Sequence, residues 1–163
     1  AIEGTAAIVG GVAYVGSFDE HLYAIDLATG KEKWKYKAAP FKAAVSVREG
    51  RVYAGDIDGE FHCLEAATGK KLWSFKTDGE ITSGANFAAD AILFGSSDEH
   101  VYCLTKDGKR QWKFKIAGGP VNGSPAIIGD RAFATVPATA ARAANVLFFA
   151  LASSGLRSAP ARA

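Results

Sequence analysis

The chain has 163 residues, a formal net charge of +2, 48% hydrophobic residues and 22% charged residues. These values are typical of one globular domain and argue against a disordered or fibrous chain. The small charge does not predict nucleic-acid binding. No apolar run of about 18 residues predicts a transmembrane segment, and the first residues do not have the pattern of a signal peptide.

A repeated unit runs along the chain from its start. Its marker is a Gly four residues before a Trp, and Trp34, Trp73 and Trp112 follow one another at intervals of 39 residues. The matching glycines are Gly30, Gly69 and Gly108. Each unit alternates apolar and polar residues in short stretches separated by turn residues, which is typical of four antiparallel strands. Four strands in about 40 residues with a Trp signature predict a β-propeller blade.

The units divide the chain into one partial, all-β propeller domain covering residues 1–163. We predict blades over residues 5–38, 42–77 and 82–116, and an incomplete fourth blade over residues 121–158. The stretch from Val136 to Asn145 reads as an inserted loop, and no fourth Trp follows it. We therefore expect the fourth blade to lack its outer strand.

The residues around each Trp resemble a known motif. Ala24-x-Asp26-x-x-Thr29-Gly30-Lys31-x-x-Trp34 is similar to the tryptophan-docking motif of pyrroloquinoline-quinone (PQQ)-type β-propeller repeats. The stretch beginning at Cys63 repeats it with Cys for Ala and Glu for Asp. The stretch beginning at Cys103 keeps its Gly-Lys-x-x-Trp half.

This resemblance implies a structural role for the repeated residues. In the family, each Trp packs between neighbouring blades, and its indole N–H is bonded to the backbone. A large flat ring needs a small residue opposite it, which Ala24, Cys63 and Cys103 would provide. We predict that the middle tryptophan, Trp73, is buried between two blades, and that the other two lie nearer the ends of the arc.

The resemblance also bounds the function. The family includes quinoprotein dehydrogenases, which use PQQ and calcium, and non-enzymatic propellers such as the BamB-type scaffold of outer-membrane protein assembly. This chain has no adjacent cysteine pair, its loops are short, and it has fewer than the eight blades of those enzymes. The expected function is a non-catalytic binding or scaffolding module without a cofactor, located in the periplasm or otherwise outside the cytoplasm. The alternative is a fragment of a PQQ- and calcium-dependent dehydrogenase. The expected partner is a protein or further blades, from a longer chain or a second copy.

Acidic turns recur between the second and third strands of the units. Because they recur, we expect them on one face, together with the loop from Val136 to Asn145, as a candidate binding face. Its acidic members are Asp19, Glu20, Asp98 and Glu99. Asp56 and Asp58 resemble the opening of a calcium loop and are a weak metal candidate. The alternative interpretation is a set of polar hairpin turns, in which Asp is common.

Overall fold

The computed structural model describes residues 1–128, 131–135, 146–150 and 158–159, and every regular element in these ranges is a β-strand. Blade 1 comprises β1 (Ala7–Val9), β2 (Val12–Gly16), β3 (His21–Asp26) and β4 (Glu32–Lys37). Blade 2 comprises β5 (Ser46–Arg48), β6 (Arg51–Gly55), β7 (Glu60–Glu65) and β8 (Lys71–Lys76). Blade 3 comprises β9 (Asn86–Ala88), β10 (Ala91–Gly95), β11 (His100–Thr105) and β12 (Arg110–Lys115). Blade 4 comprises β13 (Ala126–Ile128), β14 (Arg131–Thr135), β15 (Val146–Ala150) and β16 (Ser158–Ala159).

Each blade is an antiparallel sheet whose strand order follows the chain. The predicted all-β architecture of four-stranded propeller blades is confirmed. Within the ranges that the structure covers, no helix is long and apolar enough to cross a membrane.

The fourth blade differs from the prediction. It has a short outer strand, β16, in which Ser158 pairs with Phe149 and Ala159 with Phe148. A strand of two residues without a Trp has no alternating pattern, so it cannot be recognised from the sequence. The predicted loop from Val136 to Asn145 lies outside the described residues.

Blades 2 and 3 are packed on both faces, and this explains their burial. On β7, Phe61 and Cys63 point toward blade 3, whereas His62 and Leu64 point toward blade 1, and all four are buried. On β3 of blade 1, only Leu22 and Ala24 are buried, and they face blade 2. Successive side chains of a strand point to opposite faces, so a blade between two neighbours reads as continuously buried.

Among the described residues, three apolar cores lie between consecutive blades. The core between blades 1 and 2 includes Tyr14, Leu22, Val52 and Leu64. The core between blades 2 and 3 contains a stack of aromatic rings, in which the Phe61 and Phe94 centroids are 4.1 Å apart and the Phe94 and Tyr102 centroids 5.4 Å apart. The core between blades 3 and 4 includes Leu93, Val101, Ala132 and Ala134. Stability therefore comes from each blade covering the next one.

The blade-to-blade connections and the β2–β3-type turns form one surface, which we call the turn face. It consists of the turns 17–20, 56–59 and 96–99 and the connections 38–45, 77–85 and 116–125. In blade 2, the backbone N–H of Ile81 donates to the carbonyl of Asp56 at 3.0 Å, tying the connection to the turn. Ile81 fills the space beside Gly55, where an added Cβ would lie 2.2 Å from its side chain. Gly16 with Phe41 and Gly95 with Val121 repeat this contact.

Candidate functional site

The indole rings of two tryptophans pack directly against a glycine of the next blade. The Trp34 Nε1–H donates to the Ala66 carbonyl at 2.9 Å, and Cδ2 of its ring would lie 2.7 Å from a Cβ added to Gly69. The Trp73 Nε1–H donates to the Lys106 carbonyl at 3.0 Å over Gly108. Both glycines have positive φ, +73° and +79°. We call such a glycine with its nearby carbonyl a tryptophan cradle. Only glycine fits this position, because its backbone has positive φ and because a side chain would collide with the indole ring.

A small residue stands opposite each Trp on the neighbouring strand. The cross-strand pairs are Ala24 with Trp34, Cys63 with Trp73 and Cys103 with Trp112. Both cysteines are buried and free. Burial raises the pKa of the Cys63 thiol to about 11 and that of the Cys103 thiol to about 12. These thiols are therefore protonated near neutral pH and serve as small apolar groups.

The predicted order of Trp burial is wrong. Trp34 is 8% exposed, whereas Trp73 is only half-buried. The turn that covers each ring differs in length, since blade 2 has four residues between Glu65 and Lys70 where blade 3 has one fewer. The longer turn contains Ala66, which packs against the core that includes Trp34. Trp112 is also half-buried and packs against the core between blades 3 and 4.

The acidic turns of blades 1 and 3 have the same internal hydrogen bonds. The Tyr23 hydroxyl donates to Asp19 at 2.8 Å, and the Tyr102 hydroxyl donates to Asp98 at 2.5 Å. The bond from Tyr23 is the main reason why the pKa of Asp19 is lowered. Burial alone would raise the pKa of Asp98, but hydrogen bonds from Tyr102 and from backbone N–H groups lower it overall.

The glutamates of these turns lie beside the aspartates on the turn face. Glu20 and Glu99 both have φ of +69° and pair with lysines at the ends of the outer strands, Lys37 at 3.5 Å and Lys115 at 3.2 Å. The structure therefore places all four predicted acidic residues on one face, where their hydrogen bonds and ion pairs hold the turns in shape.

Blade 2 departs from this pattern at three positions. Asp56 stands where blades 1 and 3 have Ser, Glu60 where they have His, and His62 where they have Tyr. The His62 Nε2 lies 2.8 Å from an Asp56 carboxylate oxygen, and the Tyr36 hydroxyl of blade 1 lies 3.3 Å from Nδ1. Asp56 and His62 are each 1% exposed. Burial alone would raise the pKa of Asp56, but hydrogen bonds from His62 and the Glu60 N–H lower it overall.

This cluster contains Asp56, one of the two residues that the sequence predicted as a metal candidate. Ligand atoms of Asp56, Glu60 and His62 all lie within 4.8 Å of one another. The structure thus groups Asp56 with Glu60 and His62, and not with Asp58. His62 was not singled out in the sequence analysis. Its position in the repeat is nevertheless a signal, because blades 1 and 3 have Tyr there.

The geometry defines a class of protein. Four-stranded antiparallel blades, joined face to face by a Trp bonded to the next blade's backbone, make this chain part of a PQQ-like β-propeller. The family model of outer membrane protein assembly factor BamB matches residues 18–147, and the chain belongs to that family. Among curated protein sequences, none matches this one significantly.

Solved structures share the fold at low identity. BamB from Moraxella catarrhalis is 20% identical with a TM-score of 0.78, over 95% of this chain and 51% of that one. Quinohemoprotein alcohol dehydrogenase from Comamonas testosteroni is 20% identical with a TM-score of 0.72, over 83% of this chain and 29% of that one. The computationally designed Ika4 protein is 17% identical with a TM-score of 0.76, over 90% of this chain and 89% of that one. The chain thus spans about half the length of the BamB structure.

Proposed function

We propose that this chain is a non-catalytic propeller module that binds or scaffolds protein outside the cytoplasm. Its partner in this proposal is a further PQQ-like blade that carries a Trp on its outer strand, supplied by the rest of a longer protein. Membership in a family named for an outer membrane assembly factor supports the compartment and the scaffolding role.

The observation that carries the proposal is an unfilled tryptophan cradle on blade 1. Gly30 has φ of +68°, like Gly69, but no atom of the residues that the structure describes lies within 4 Å of the place where its Cβ would be. The turn around it also matches that of blade 2: Leu27 N–H donates to Gly11 at 2.9 Å, as Ala66 N–H donates to Gly50 at 2.8 Å. By this equivalence, the Leu27 carbonyl is the acceptor for an incoming indole N–H.

Blade 1 also exposes apolar side chains. Leu27 is 51% exposed, and on the innermost strand Ile8 is 66% exposed and Val9 is 50% exposed. On the same blade, Tyr23 and Ile25 are half-buried, whereas their equivalents in blades 2 and 3 are buried against a preceding blade. In blades 2 and 3 the equivalent face is covered by the preceding blade. The exposed face of blade 1 is therefore suited to bind another blade.

The experiment uses a strand of the chain's own sequence as the probe. A synthetic peptide with the sequence of residues 31–37, in which the Trp is replaced by 5-fluorotryptophan, is titrated with the full chain and followed by fluorine NMR. We expect a saturable shift of the fluorine signal. A second peptide without the fluorotryptophan, with Ala in its place, should fail to compete.

Matched variants decide whether the cradle is the site. Gly30→Ala places a methyl group where the indole would lie, and should abolish the shift. Gly50→Ala is the control, because Gly50 also has positive φ, +71°, and open space around it but lies in another hairpin. Equal binding by both variants, or no saturable shift with the wild-type chain, would remove the support for docking at blade 1.

The second candidate is a fragment of a PQQ- and calcium-dependent dehydrogenase. The likeness to the Comamonas alcohol dehydrogenase fold favours it, although at 20% identity that likeness concerns the fold. Titration of the chain with PQQ and Ca²⁺ separates the two: saturable PQQ binding with dye-linked alcohol oxidation would favour the dehydrogenase.

A further inference from the structure

Three side chains of metal-binding types occur together in blade 2. Blades 1 and 3 use Ser, His and Tyr at the same positions, and their Tyr bonds to the Asp of the turn. In blade 2 these three residues are Asp56, Glu60 and His62. Asp and His are better cation ligands than the Ser and Tyr of the other blades, and Glu60 replaces one ligand type, His, with another. The three side chains also lie close together.

The convergence follows from the strand geometry. Glu60 and His62 are two residues apart on β7, so their side chains leave the same face of the strand, toward blade 1. Asp56 reaches the same place from the preceding turn. Their ligand atoms lie within 4.8 Å of one another. Ligands at about 2.1 Å from a tetrahedral ion are about 3.4 Å apart, so small side-chain movements would complete the site.

The charges in the cluster also favour a cation. Two carboxylates face one imidazole, and in the part of the chain that the structure describes no side chain hydrogen-bonds to the Glu60 carboxylate. The cation opposite it in the β7–β8 pair is Lys76, but its Nζ donates to the Asp58 carbonyl at 2.6 Å. An ion between Asp56 and Glu60 would offset the repulsion of two partly desolvated carboxylates.

The neighbouring blade provides an outer shell. The Tyr36 hydroxyl lies 3.3 Å from Nδ1 of His62, and the Phe41 ring meets the imidazole edge-on at 5.6 Å between centroids. A metal-bound His commonly uses its second ring nitrogen to hydrogen-bond a nearby oxygen. For Nε2 to bind an ion, its proton must leave to solvent and Nδ1 must carry the hydrogen, which the Tyr36 oxygen would then accept.

The donor set selects the kind of ion. One imidazole nitrogen and two carboxylate oxygens are typical ligands of zinc, with a water in the fourth position. Calcium takes six to eight oxygens, for which a buried imidazole is a poor substitute. We propose that Asp56, Glu60 and His62 bind a zinc ion, and that Tyr36 is a positioning residue that orients His62 across the blade interface.

The test is zinc binding to the full chain without a histidine tag. Isothermal titration with ZnCl₂ should give one ion per chain, and Co²⁺ should give the visible absorption of a low-symmetry, four-coordinate site. Glu60→Gln preserves size and should weaken zinc binding strongly. Tyr36→Phe should weaken it by about tenfold without changing the number of ions bound, as loss of an outer-shell partner does.

Two variants keep the result interpretable. The triple change Asp56→Ser, Glu60→His and His62→Tyr gives blade 2 the residues of its neighbours, with Asp58 available to accept from the new hydroxyl; it should fold and lose zinc. His100→Gln removes a histidine that lies beside Asp98 in blade 3, and should leave zinc affinity unchanged. Absence of saturable zinc uptake by the folded chain, or uptake that persists in the triple variant, would overturn the proposal.

Discussion

Exchanging glycine for alanine in two equivalent turns separates the tryptophan contact from backbone strain. Gly30 and Gly69 have φ of +68° and +73°, so alanine is strained at both positions. That strain is about 1–2 kcal/mol for an L residue in the left-handed region. At Gly30 the new methyl group would meet no described atom within 4 Å, whereas at Gly69 it would lie 2.7 Å from the Trp34 ring.

The contact with the Trp34 ring determines the expected difference in stability between the two variants. Displacing a packed ring typically costs about 1–3 kcal/mol, so Gly69→Ala should lower the free energy of unfolding by about 2–5 kcal/mol in total. Gly30→Ala should lower it by about 1–2 kcal/mol. The indole of Trp34 would also move away from the Ala66 carbonyl, to which it donates at 2.9 Å.

Urea denaturation followed by Trp fluorescence measures both variants against the wild-type chain. Gly108→Ala serves as a second case, because an added Cβ there would lie 2.6 Å from the Trp73 ring. Equal losses for Gly30→Ala and Gly69→Ala would refute the argument, since they would mean that the indole yields without cost and that the blades are not held at a fixed distance by this contact.

Three other outcomes follow from burial and hydrogen bonding. Trp34→Ala should lower the free energy of unfolding by about 3–5 kcal/mol, and by more than Trp73→Ala, because Trp34 is the more buried ring; urea melts of the two variants give the order. The folded-state pKa of Asp98 lies below its ordinary 3.8, so the stability from this carboxylate is present above that value and is lost as the pH falls through the lowered pKa; Asp98→Asn should flatten the acid side of the melting-temperature profile, and an unchanged profile would contradict this. The thiols of Cys63 and Cys103, whose pKa values are raised to about 11 and about 12, should react with DTNB only after urea is added; rapid labelling of the folded chain would count against closed blade interfaces.

The repeat predicted the fold because each blade repeats one local pattern. The Gly-to-Trp spacing and the alternating strands are short-range features, and a sequence displays them directly. The order of Trp burial is not such a local feature, because it depends on how each ring packs against the next blade, whose turns differ in length by one residue. A count of blades along the chain does not contain this information.

The cluster in blade 2 shows a second limit of sequence reasoning. The acidic turn is visible in the sequence, where Asp56 and Asp58 form a pair because they are two residues apart. In the structure, Asp56 turns inward to His62, which lies on the following strand. The change from Tyr to His at this position is visible when the three repeats are aligned, because it lies on the strand and outside the acidic turn.

The two-sided packing of the middle blades has a consequence for how the chain opens. In an array where each unit contacts its neighbours alone, freeing a strand requires breaking every interface that covers its blade. Backbone amides of β7 are released when two interfaces open, whereas those of β3 are released when the one described interface of blade 1 opens. Native-state hydrogen exchange should therefore rise toward blade 1, and we expect that blade to open as a separate cooperative unit of lower stability. A strand that docks against its outer face would slow exchange throughout blade 1 without adding any bond to most of its amides.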